Sequence, residues 1–239
     1  MINKEFEHIT KYDQRTKIKF QTNENVFCPT ATSDFLIRGV ADNINYADKL
    51  LDLGCGNGVV GITLSKLEKV KKIYCSDISK EAVKIANINI KLNHIIGKAI
   101  FSDIFSNWDN YKFDVIVNDV SGIAEEVASI SSWFENVPCD SGLDGCKNIN
   151  KVLNEGKKFL VDNGKIFFPV ISLSNTKKIL DLANQNYNKL SMISHDEWFL
   201  PDELLDHLTI LRKLKNQGFI DYCEKFGRII CWTDIYMVN

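Results

Sequence analysis

Short apolar runs alternate along the chain with segments in which apolar residues recur every three to four positions. The apolar runs are a stretch that ends at Leu53, IYCS (73–76), KAIFS (98–102), FDVIVND (113–119), KIFFPVI (165–171) and RIICWTDIYMV (228–238). Helical spacing is found in segments 80–93 and 148–164, and another helix can begin near Gly58. Continuous apolar strands that alternate with helices are typical of a parallel sheet covered on both faces. The pattern therefore predicts a doubly wound α/β fold, in which ligands bind beyond the carboxyl ends of the strands.

One further helix is predicted close to the carboxyl terminus. Residues 201–218 begin with proline, carry apolar residues at helical spacing and end in glycine. This segment precedes the last predicted strand, so we expect a helical insertion that forms a lid, forms a dimer surface or packs on the sheet. We divide the chain into an N-terminal cover or substrate segment (1–45) and a main domain (46–239).

Composition narrows the class of protein. The chain has 239 residues, 45% of them hydrophobic, which is enough for one large domain with a core. Its 29 basic and 31 acidic residues give a net charge of −2, which favours a protein or small-molecule partner over nucleic acid. Seven cysteines without a CxxC pair and four scattered histidines predict reduced thiols and no metal site. With no signal-peptide pattern and no membrane-spanning apolar run, we expect a cytoplasmic protein; its oligomeric state is left open.

The stretch LLDLGCGNGVVGI (50–62) indicates a strand, a glycine-rich loop and a helix, an arrangement that brings backbone N–H groups to a ligand. Two cofactor classes use it. Residues Gly56 to Gly61 match GxGxxG, the dinucleotide fingerprint. The frame Asp52-x-Gly54-x-Gly56-x-Gly58 instead resembles the glycine-rich motif of class I S-adenosylmethionine-dependent methyltransferases, in which an acid precedes the glycines. An acid suits the ammonium and sulfonium of that cofactor better than it suits a pyrophosphate. A tight turn without a ligand is the remaining alternative.

Two more acids end the next two predicted strands. Asp77 follows Asp52 by 25 residues, close to the offset of about 20 expected for a ribose-binding acid. We expect Asp77 to accept from the ribose hydroxyls and Ile78 to pack on adenine. Asp103 is expected to accept from the adenine amine, with Ile104 beside the ring. Each acid alone is more often a helix cap or a turn residue, but three at successive strand ends favour a cofactor site.

The fourth strand end, FDVIVNDVSG, is similar to a narrower group, the HemK-like glutamine methyltransferases and related small-domain enzymes. Those carry Asn-Pro-Pro-Tyr after a matching strand, and the resemblance spans residues 26–175, including VFCPTATSDFLI (26–37) and SGLDGCKNINKVL (141–153). Asn118 matches the family asparagine, whereas Asp119 begins a different continuation, Asp-Val-Ser. The stacking tyrosine is absent and a charge is gained, so an amine acceptor becomes easier to envisage than a planar amide. Asp119 is either catalytic or an N-cap for a helix over 123–130.

The resemblance implies a Rossmann-like methyltransferase fold, with a mostly parallel seven-stranded sheet and an antiparallel last strand. It implies S-adenosylmethionine as the cofactor and methyl transfer to a nitrogen, amine or amide, on a protein or small molecule. Catalysis would rest on Asn118 and Asp119, and Asn118 would also contact the cofactor. HemK-like enzymes carry a helical substrate domain first, whereas about fifty residues precede Leu50 here, so their release-factor recognition is weakly supported.

Three other functions stay open: a base methyltransferase acting on RNA or DNA, an NAD(P)-dependent oxidoreductase, and a cofactor-binding protein without transfer activity. Some residues outside the motifs could contribute to a site. Phe27 and its neighbours could cover a cofactor or begin a helix over 34–43, and Phe134 could line an acceptor pocket or serve only in packing. His195 is expected to be structural.

Overall fold

A computed structural model describes residues 4–9, 16–137 and 139–239 of the chain. The strands are β1 (Lys4–Ile9), β2 (Lys17–Thr22), β3 (Ala47–Leu53), β4 (Val70–Asp77), β5 (Gly97–Phe101), β6 (Phe113–Asn118), β7 (Leu160–Ile171), β8 (Leu190–Phe199), β9 (Cys223–Lys225) and β10 (Arg228–Val238). The helices are α1 (Ala31–Asn43), α2 (Val59–Lys66), α3 (Lys80–Leu92), α4 (Glu125–Ser129), α5 (Lys147–Glu155), α6 (Thr176–Asn186), α7 (Asp202–Leu205) and α8 (Leu208–Asn216). Short 3₁₀ turns follow at 132–134 and 156–159.

One large sheet organises the molecule, with strand order β5-β4-β3-β6-β7-β10-β8. The pairs from β5 to β7 are parallel, whereas the last strand, β10, runs antiparallel to both of its neighbours, β7 and β8. The short strand β9 adds three residues against β10. The predicted doubly wound, mostly parallel sheet with an antiparallel last strand is confirmed.

Helices cover the sheet on both faces, and the core is divided accordingly. Side chains of α1, α2 and α3 form one buried cluster with the sheet, and those of α5 and α6 form another on the opposite face. This explains why the strands of the parallel half carry continuous apolar runs: β6, for example, is buried over Val115, Ile116 and Val117. Parallel strands end at one edge of a sheet, so this packing brings the ends of β3, β4, β5 and β6 together.

The N-terminal hairpin of β1 and β2 is attached to the main domain through Asn89 of α3 and Asn93, the residue that follows this helix. Asn89 accepts from the Gln21 N–H (2.7 Å) and donates to the Gln21 carbonyl (2.9 Å). Asn93 makes the same pair of bonds with Lys19, at 3.2 and 2.7 Å. Since Asn89 also donates to the Asn57 carbonyl (2.9 Å), it links the hairpin to the glycine loop. Parts of the predicted 1–45 segment, residues 1–3 and 10–15, lie outside the described residues.

The predicted helix over 148–164 is wrong in its second half. α5 ends at Glu155, a 3₁₀ turn follows, and β7 already begins at Leu160. Residues 161–164 bulge out of the pairing, because Phe113 faces Leu160 while Val115 faces Lys165. Asn163 turns there with a φ of 62°. The Asp-Asn-Gly sequence therefore marks a bulge inside a strand, and not the end of a helix.

The predicted helix over 201–218 is two helices, α7 and α8, separated at 206–207. Leu204, Leu211 and Leu214 are buried in a third cluster, together with α4 residues and the ends of β7 and β10. Lys213 pairs with Glu126 of α4 at 2.9 Å. A lid, a dimer surface and packing on the sheet were the alternatives for this segment. The contacts fit packing on the sheet and on α4. In the described part of the chain, every helix is too short or too polar to cross a bilayer.

Candidate active site

A cavity of about 550 Å³ lies beyond the carboxyl ends of β3, β4, β5 and β6. Its walls include the glycine loop after β3, the segments at the ends of β4 and β5, the segment before α1, the loop between β6 and α4, and the start of α5. Most of the predicted site residues meet in it, namely Gly54, Gly56, Asp77, Ile78, Asp103, Ile104, Asn118 and Asp119. Its volume lies within the range of about 300–1,000 Å³ that is usual for sites of small molecules and cofactors.

The glycine loop is anchored at both ends. The N–H groups of Gly54 and Cys55 donate to the Ser76 carbonyl at 2.9 and 3.0 Å. Gly54 has a φ of 68°, and a Cβ added there would lie 2.8 Å from the Cα of Val120. At Gly58, with a φ of 84°, the chain turns into α2. Glycine is required at Gly54 because two backbones approach closely and the left-handed conformation disfavours a side chain.

Asp52 is not at the cavity wall. Its side chain is fully buried beneath α2, where Oδ2 accepts from the Gly61 N–H at 2.9 Å. Its Oδ1 accepts no hydrogen bond from the described residues. Burial raises the pKa of Asp52 to about 8, against the opposing effect of the Gly61 hydrogen bond, and the charges of Asp119 and Asp77 raise it further. Its place beneath the helix suits it to holding the loop rather than to contacting a ligand in the cavity.

Asp77 stands where a ribose-binding acid is predicted, at the end of β4. Its carboxylate accepts from the Gly56 N–H at 2.9 Å and from the Ser79 N–H at 2.8 Å. Burial raises its pKa, and these backbone hydrogen bonds oppose the rise. The side-chain cap of α3 is Ser79, which accepts from the Ala82 N–H at 3.2 Å. Asp77 thus fixes the glycine loop to the end of β4 and lines the cavity at the same time.

The adenine end predicted for the site contains Ile78, Asp103 and Ile104. Ile78 is 60% exposed. Asp103 forms an ion pair with Lys151 of α5 at 3.1 Å, a contact that the sequence did not indicate. Ile104 has a φ of 50°, which is strained for a β-branched residue. Strain of this kind is concentrated at functional sites.

Asn118 and Asp119 lie side by side at the end of β6. Asn118 is 2% exposed, yet it lines the cavity, and its Oδ1 accepts no hydrogen bond from the described residues. Asp119 donates its N–H to the Leu53 carbonyl at 2.9 Å, and its Oδ2 accepts from the Ser33 hydroxyl at 3.0 Å. Burial raises the pKa of Asp119 to about 7, opposed by the Ser33 hydrogen bond.

The alternative that Asp119 caps a helix does not hold. α4 covers only Glu125–Ser129, and its N-cap residue is Ala124, with no side-chain hydrogen bond. The side chain of Asp119 is directed instead to the first turn of α1, through Ser33. The N-cap residue of α1 is Thr30, whose side chain accepts from the Thr32 N–H at 3.3 Å. Ser33 therefore does not cap α1, and its hydroxyl donates to Asp119 instead.

Aromatic residues from two loops meet at the cavity wall. Phe27, ahead of α1, and Phe134, after α4, have ring centroids 5.2 Å apart, and both line the cavity. Trp133 packs on Trp198 instead. His195 lies outside the cavity lining and pairs with Asp234 of β10 at 2.6 Å. Among the described residues, no group of three or more His, Cys, Asp or Glu side chains is arranged to hold a metal ion.

A glycine loop and carboxylates at successive strand ends surround one cavity, an arrangement in an α/β fold that is compatible with an adenosyl cofactor. Comparison with known proteins agrees. The family described as "Methyltransferase small domain" matches residues 17–119. A release factor glutamine methyltransferase of Lactococcus lactis is 26% identical over 205 residues, which cover 83% of this chain and 75% of the relative.

Two further matches extend this comparison. A Methanocaldococcus jannaschii protein that carries the name of a protein N5-glutamine methyltransferase is 30% identical over 165 residues, 69% of this chain and 81% of the relative. The T. thermophilus 16S rRNA N2 G1207 methyltransferase, solved with AdoMet and guanosine, has a TM-score of 0.61 at 13% identity, covering 97% of this chain and 50% of its own. The latter likeness concerns the fold alone. The chain belongs to the class I S-adenosylmethionine-dependent methyltransferases and is an enzyme.

Proposed function

We propose that this enzyme transfers the methyl group of S-adenosylmethionine to a nitrogen atom of a protein acceptor. The observation that carries the proposal is Asn118, a residue of the cavity lining whose buried Oδ1 has no hydrogen-bond partner among the described residues. A buried acceptor without a hydrogen bond costs about 1–3 kcal/mol, so it is expected to be satisfied when a ligand N–H enters. The names of the L. lactis and M. jannaschii relatives, both glutamine methyltransferases, support a protein nitrogen as the acceptor.

The residues around the cavity fit the cofactor. Asp77 would accept from the ribose hydroxyls, and Ile78 and Ile104 would flank adenine. The backbone of Gly54 and Gly56 would border the methionine end, whose positive charge suits a cavity surrounded by carboxylates. Under this proposal, Asp52 and Gly58 act indirectly, by fixing the conformation of the glycine loop.

The nicotinamide alternative is less compatible with the spacing of this loop, because Gly54 and Cys55 separate the end of β3 from Gly56, the first glycine of the dinucleotide fingerprint. The third glycine of that fingerprint would be Gly61, which lies inside α2 and donates its N–H to Asp52, a packing role that does not distinguish the two cofactors. A Cβ on Gly61 would lie 3.2 Å from the Asp52 carboxylate. Gly61 is thus engaged in helix packing and does not line the cavity.

Methyl transfer from this cofactor requires positioning of the acceptor more than activation of the methyl group. S-adenosylmethionine supplies a methyl group that is already electrophilic, because it is bonded to a sulfonium. The enzyme has to hold the acceptor nitrogen in line with that methyl group, which can contribute roughly 7–11 kcal/mol in favourable cases. Asn118 would orient the nitrogen by accepting one of its hydrogens.

Calorimetric titration with S-adenosylmethionine and S-adenosylhomocysteine, with NAD and NADH as controls, tests the cofactor. We expect binding of the adenosyl pair alone. A labelled-methyl assay on separated protein, nucleic-acid and metabolite fractions then tests the acceptor, and label is expected in protein. Preference for NAD, or label confined to nucleic acid or metabolites, would refute the proposal. Tight adenosyl binding without any transfer would identify a binding protein that lacks activity.

A further inference from the structure

The charge of the cavity is the first clue to the acceptor. Lys147 and Lys151, which line its rim, are already paired with Asp140 and Asp103. The carboxylate of Asp119 has no cationic partner among the described residues. An ionised carboxylate is costly to enclose unless a cation accompanies it.

The geometry at Asp119 is the second clue. One oxygen of its carboxylate is held by the Ser33 hydroxyl at 3.0 Å, which fixes the orientation of the group. Its neighbour in sequence, Asn118, offers a buried oxygen without a partner. Two adjacent oxygen acceptors, one of them charged, match a nitrogen that carries several hydrogens and a positive charge. The walls beside them include the apolar side chains of Val120, Phe134 and Ile171, which suit an aliphatic chain.

We infer that the acceptor is a primary amine on an aliphatic chain, of the lysine side-chain class, with Asp119 as its general base and Ser33 as the residue that positions Asp119. This inference rests on the proposed methyl transfer. It differs from the amide acceptor that the names of the relatives indicate, because a neutral amide would leave the Asp119 charge without a partner.

The proposed step balances in protons and electrons. The amine enters as an ammonium, since its usual pKa is about 10.4, and gives one proton to the Asp119 carboxylate. The lone pair released on nitrogen forms the new N–C bond to the methyl group. The C–S bond breaks, and its electrons stay on sulfur, which becomes a neutral thioether. The product leaves as a methylammonium, and Asp119 returns its proton to solvent.

The acceptor class is tested by acid hydrolysis of labelled protein. The enzyme and [methyl-¹⁴C]S-adenosylmethionine are incubated with an extract of the source organism from which the gene has been deleted. A methylated amine survives strong acid as an N-methylated amino acid, whereas a methylated amide releases labelled methylamine. We expect the label in an N-methylated amino acid. Release as methylamine would overturn this inference while leaving the proposed function intact, and the absence of any transfer would refute both.

The role of Asp119 is tested with Asp119→Asn, which keeps an oxygen to accept from Ser33. We expect kcat/KM to fall by a factor of about 10²–10⁴, the usual contribution of general acid–base catalysis. The affinity for S-adenosylmethionine should be unchanged. Weakened cofactor binding with unchanged single-turnover methyl transfer would overturn the inference, because Asp119 would then be pairing with the cofactor ammonium. Asp109→Asn, at an exposed aspartate away from the cavity, is the matched control.

The pH profile separates a base from a merely structural group. Asp52 on β3 is a carboxyl whose pKa responds to the charge of Asp119, and Ser33 faces Asp119 from α1. Since burial raises the pKa of Asp119 to about 7, the wild-type rate should rise through neutral pH. In Asp119→Asn, the rise should move towards the pKa of the amine itself. Ser33→Ala should shift the inflection upward, because the bond that it removes favours the ionised form. An unmoved profile in both variants would contradict the assignment.

Discussion

At the scale of single residues, Asp77 carries two roles that a substitution can separate. Its carboxylate holds the Gly56 N–H, and it faces the cavity where a ribose is proposed. Asp77→Asn keeps one acceptor oxygen for the loop but loses the charge and the second acceptor. Hydrogen bonds to a charged group contribute about 1.5–3 kcal/mol, so the Kd for S-adenosylmethionine should rise by roughly 10- to 150-fold in calorimetric titration.

The control for Asp77 is Ser79→Ala. Ser79 caps α3 by accepting from the Ala82 N–H, so this variant should lose about 1 kcal/mol of stability. Its cofactor affinity should stay at the wild-type value. Equal affinities for Asp77→Asn and the wild type would remove Asp77 from the ribose site and leave it a loop anchor only.

Asn118 is predicted to act on turnover more than on cofactor binding. Asn118→Ala removes the buried oxygen proposed to orient the acceptor nitrogen, and kcat should fall by about 10²–10³, as when one positioned polar group is removed from an active site. The Kd for S-adenosylmethionine should change little, and the exposed Asn110→Ala should change neither quantity. Retained turnover in Asn118→Ala, measured as methyl label in protein, would show that Asn118 is not a catalytic residue.

Sequence motifs located the cavity-lining residues but not their mutual contacts. Asp77, Asp103 and Asn118 could be predicted because each ends a strand, and strand ends of a parallel sheet meet at one edge. The bond between Ser33 and Asp119 could not be, since it joins residues 86 positions apart. For Asp52, the sequence indicated the motif but not the direction of the side chain. Only the packing of α2 shows that its carboxylate is directed at the Gly61 N–H.

At the scale of elements, the amide of Asn89 joins three of them: β2, α3 and the glycine loop. Asn89 is fully buried, and it satisfies the N–H and the carbonyl of Gln21 as well as the carbonyl of Asn57. Asn89→Leu, of similar size, would leave those bonds unmade at about 1–3 kcal/mol per buried group. We expect a loss of several kcal/mol in urea unfolding and a weaker affinity for the cofactor, because the loop loses its support.

The matched control for Asn89 lies on the same helix. Asn87 donates to the Ala99 carbonyl and accepts from the Ala99 N–H, so it joins α3 to β5 without contacting the glycine loop. Asn87→Leu should also destabilise the fold, but it should leave the cofactor affinity of the remaining folded protein unchanged. A similar loss of affinity in both variants would mean that the effect of Asn89 is general destabilisation.

The boundaries of helices and strands were predicted well where the buried face of the element is continuous. They were predicted poorly where the local sequence is compatible with two conformations. Helix α3 was predicted over 80–93, and the structure gives Lys80–Leu92. The segment 148–164 failed because Asp-Asn-Gly is compatible with both a helix end and a strand bulge, and only the pairing of β7 with β6 selects the bulge. The apparent helix over 201–218 breaks at 206–207, where no residue of the pattern marks a stop.

At the scale of the whole molecule, the enzyme has two buried carboxyl groups, Asp119 in the lining of the candidate active site and Asp52 behind it. Burial raises the pKa of Asp52 to about 8 and that of Asp119 to about 7. By contrast, the carboxyls with lowered pKa, Asp140 and Asp144, stand beside lysines near the surface. The near-neutral net charge therefore conceals an unequal distribution, in which the carboxyl groups with the most strongly raised pKa lie in or behind the lining of one cavity.

This distribution predicts how stability depends on pH. A carboxyl whose pKa is raised by folding binds its proton more tightly in the native state than in the unfolded state. Its stabilising contribution is complete below about pH 4, the ordinary pKa, and it is lost as the pH rises to about 8 for Asp52 and about 7 for Asp119. The melting temperature should therefore fall between pH 5.5 and pH 8.5, a window in which Asp140 and Asp144 stay ionised throughout.

Asp52→Asn tests the origin of that fall. Without an ionisable group under α2, the variant should lose much of the pH dependence and should melt higher than the wild type at pH 8.5, measured by differential scanning calorimetry without cofactor. The exposed Asp48→Asn should reproduce the wild-type curve. A melting temperature that rises with pH in the wild type would mean that Asp52 is ionised in the fold at neutral pH. The carboxylate under the glycine loop would then be a permanent charge, held by the Gly61 N–H and available to attract the cofactor at every physiological pH.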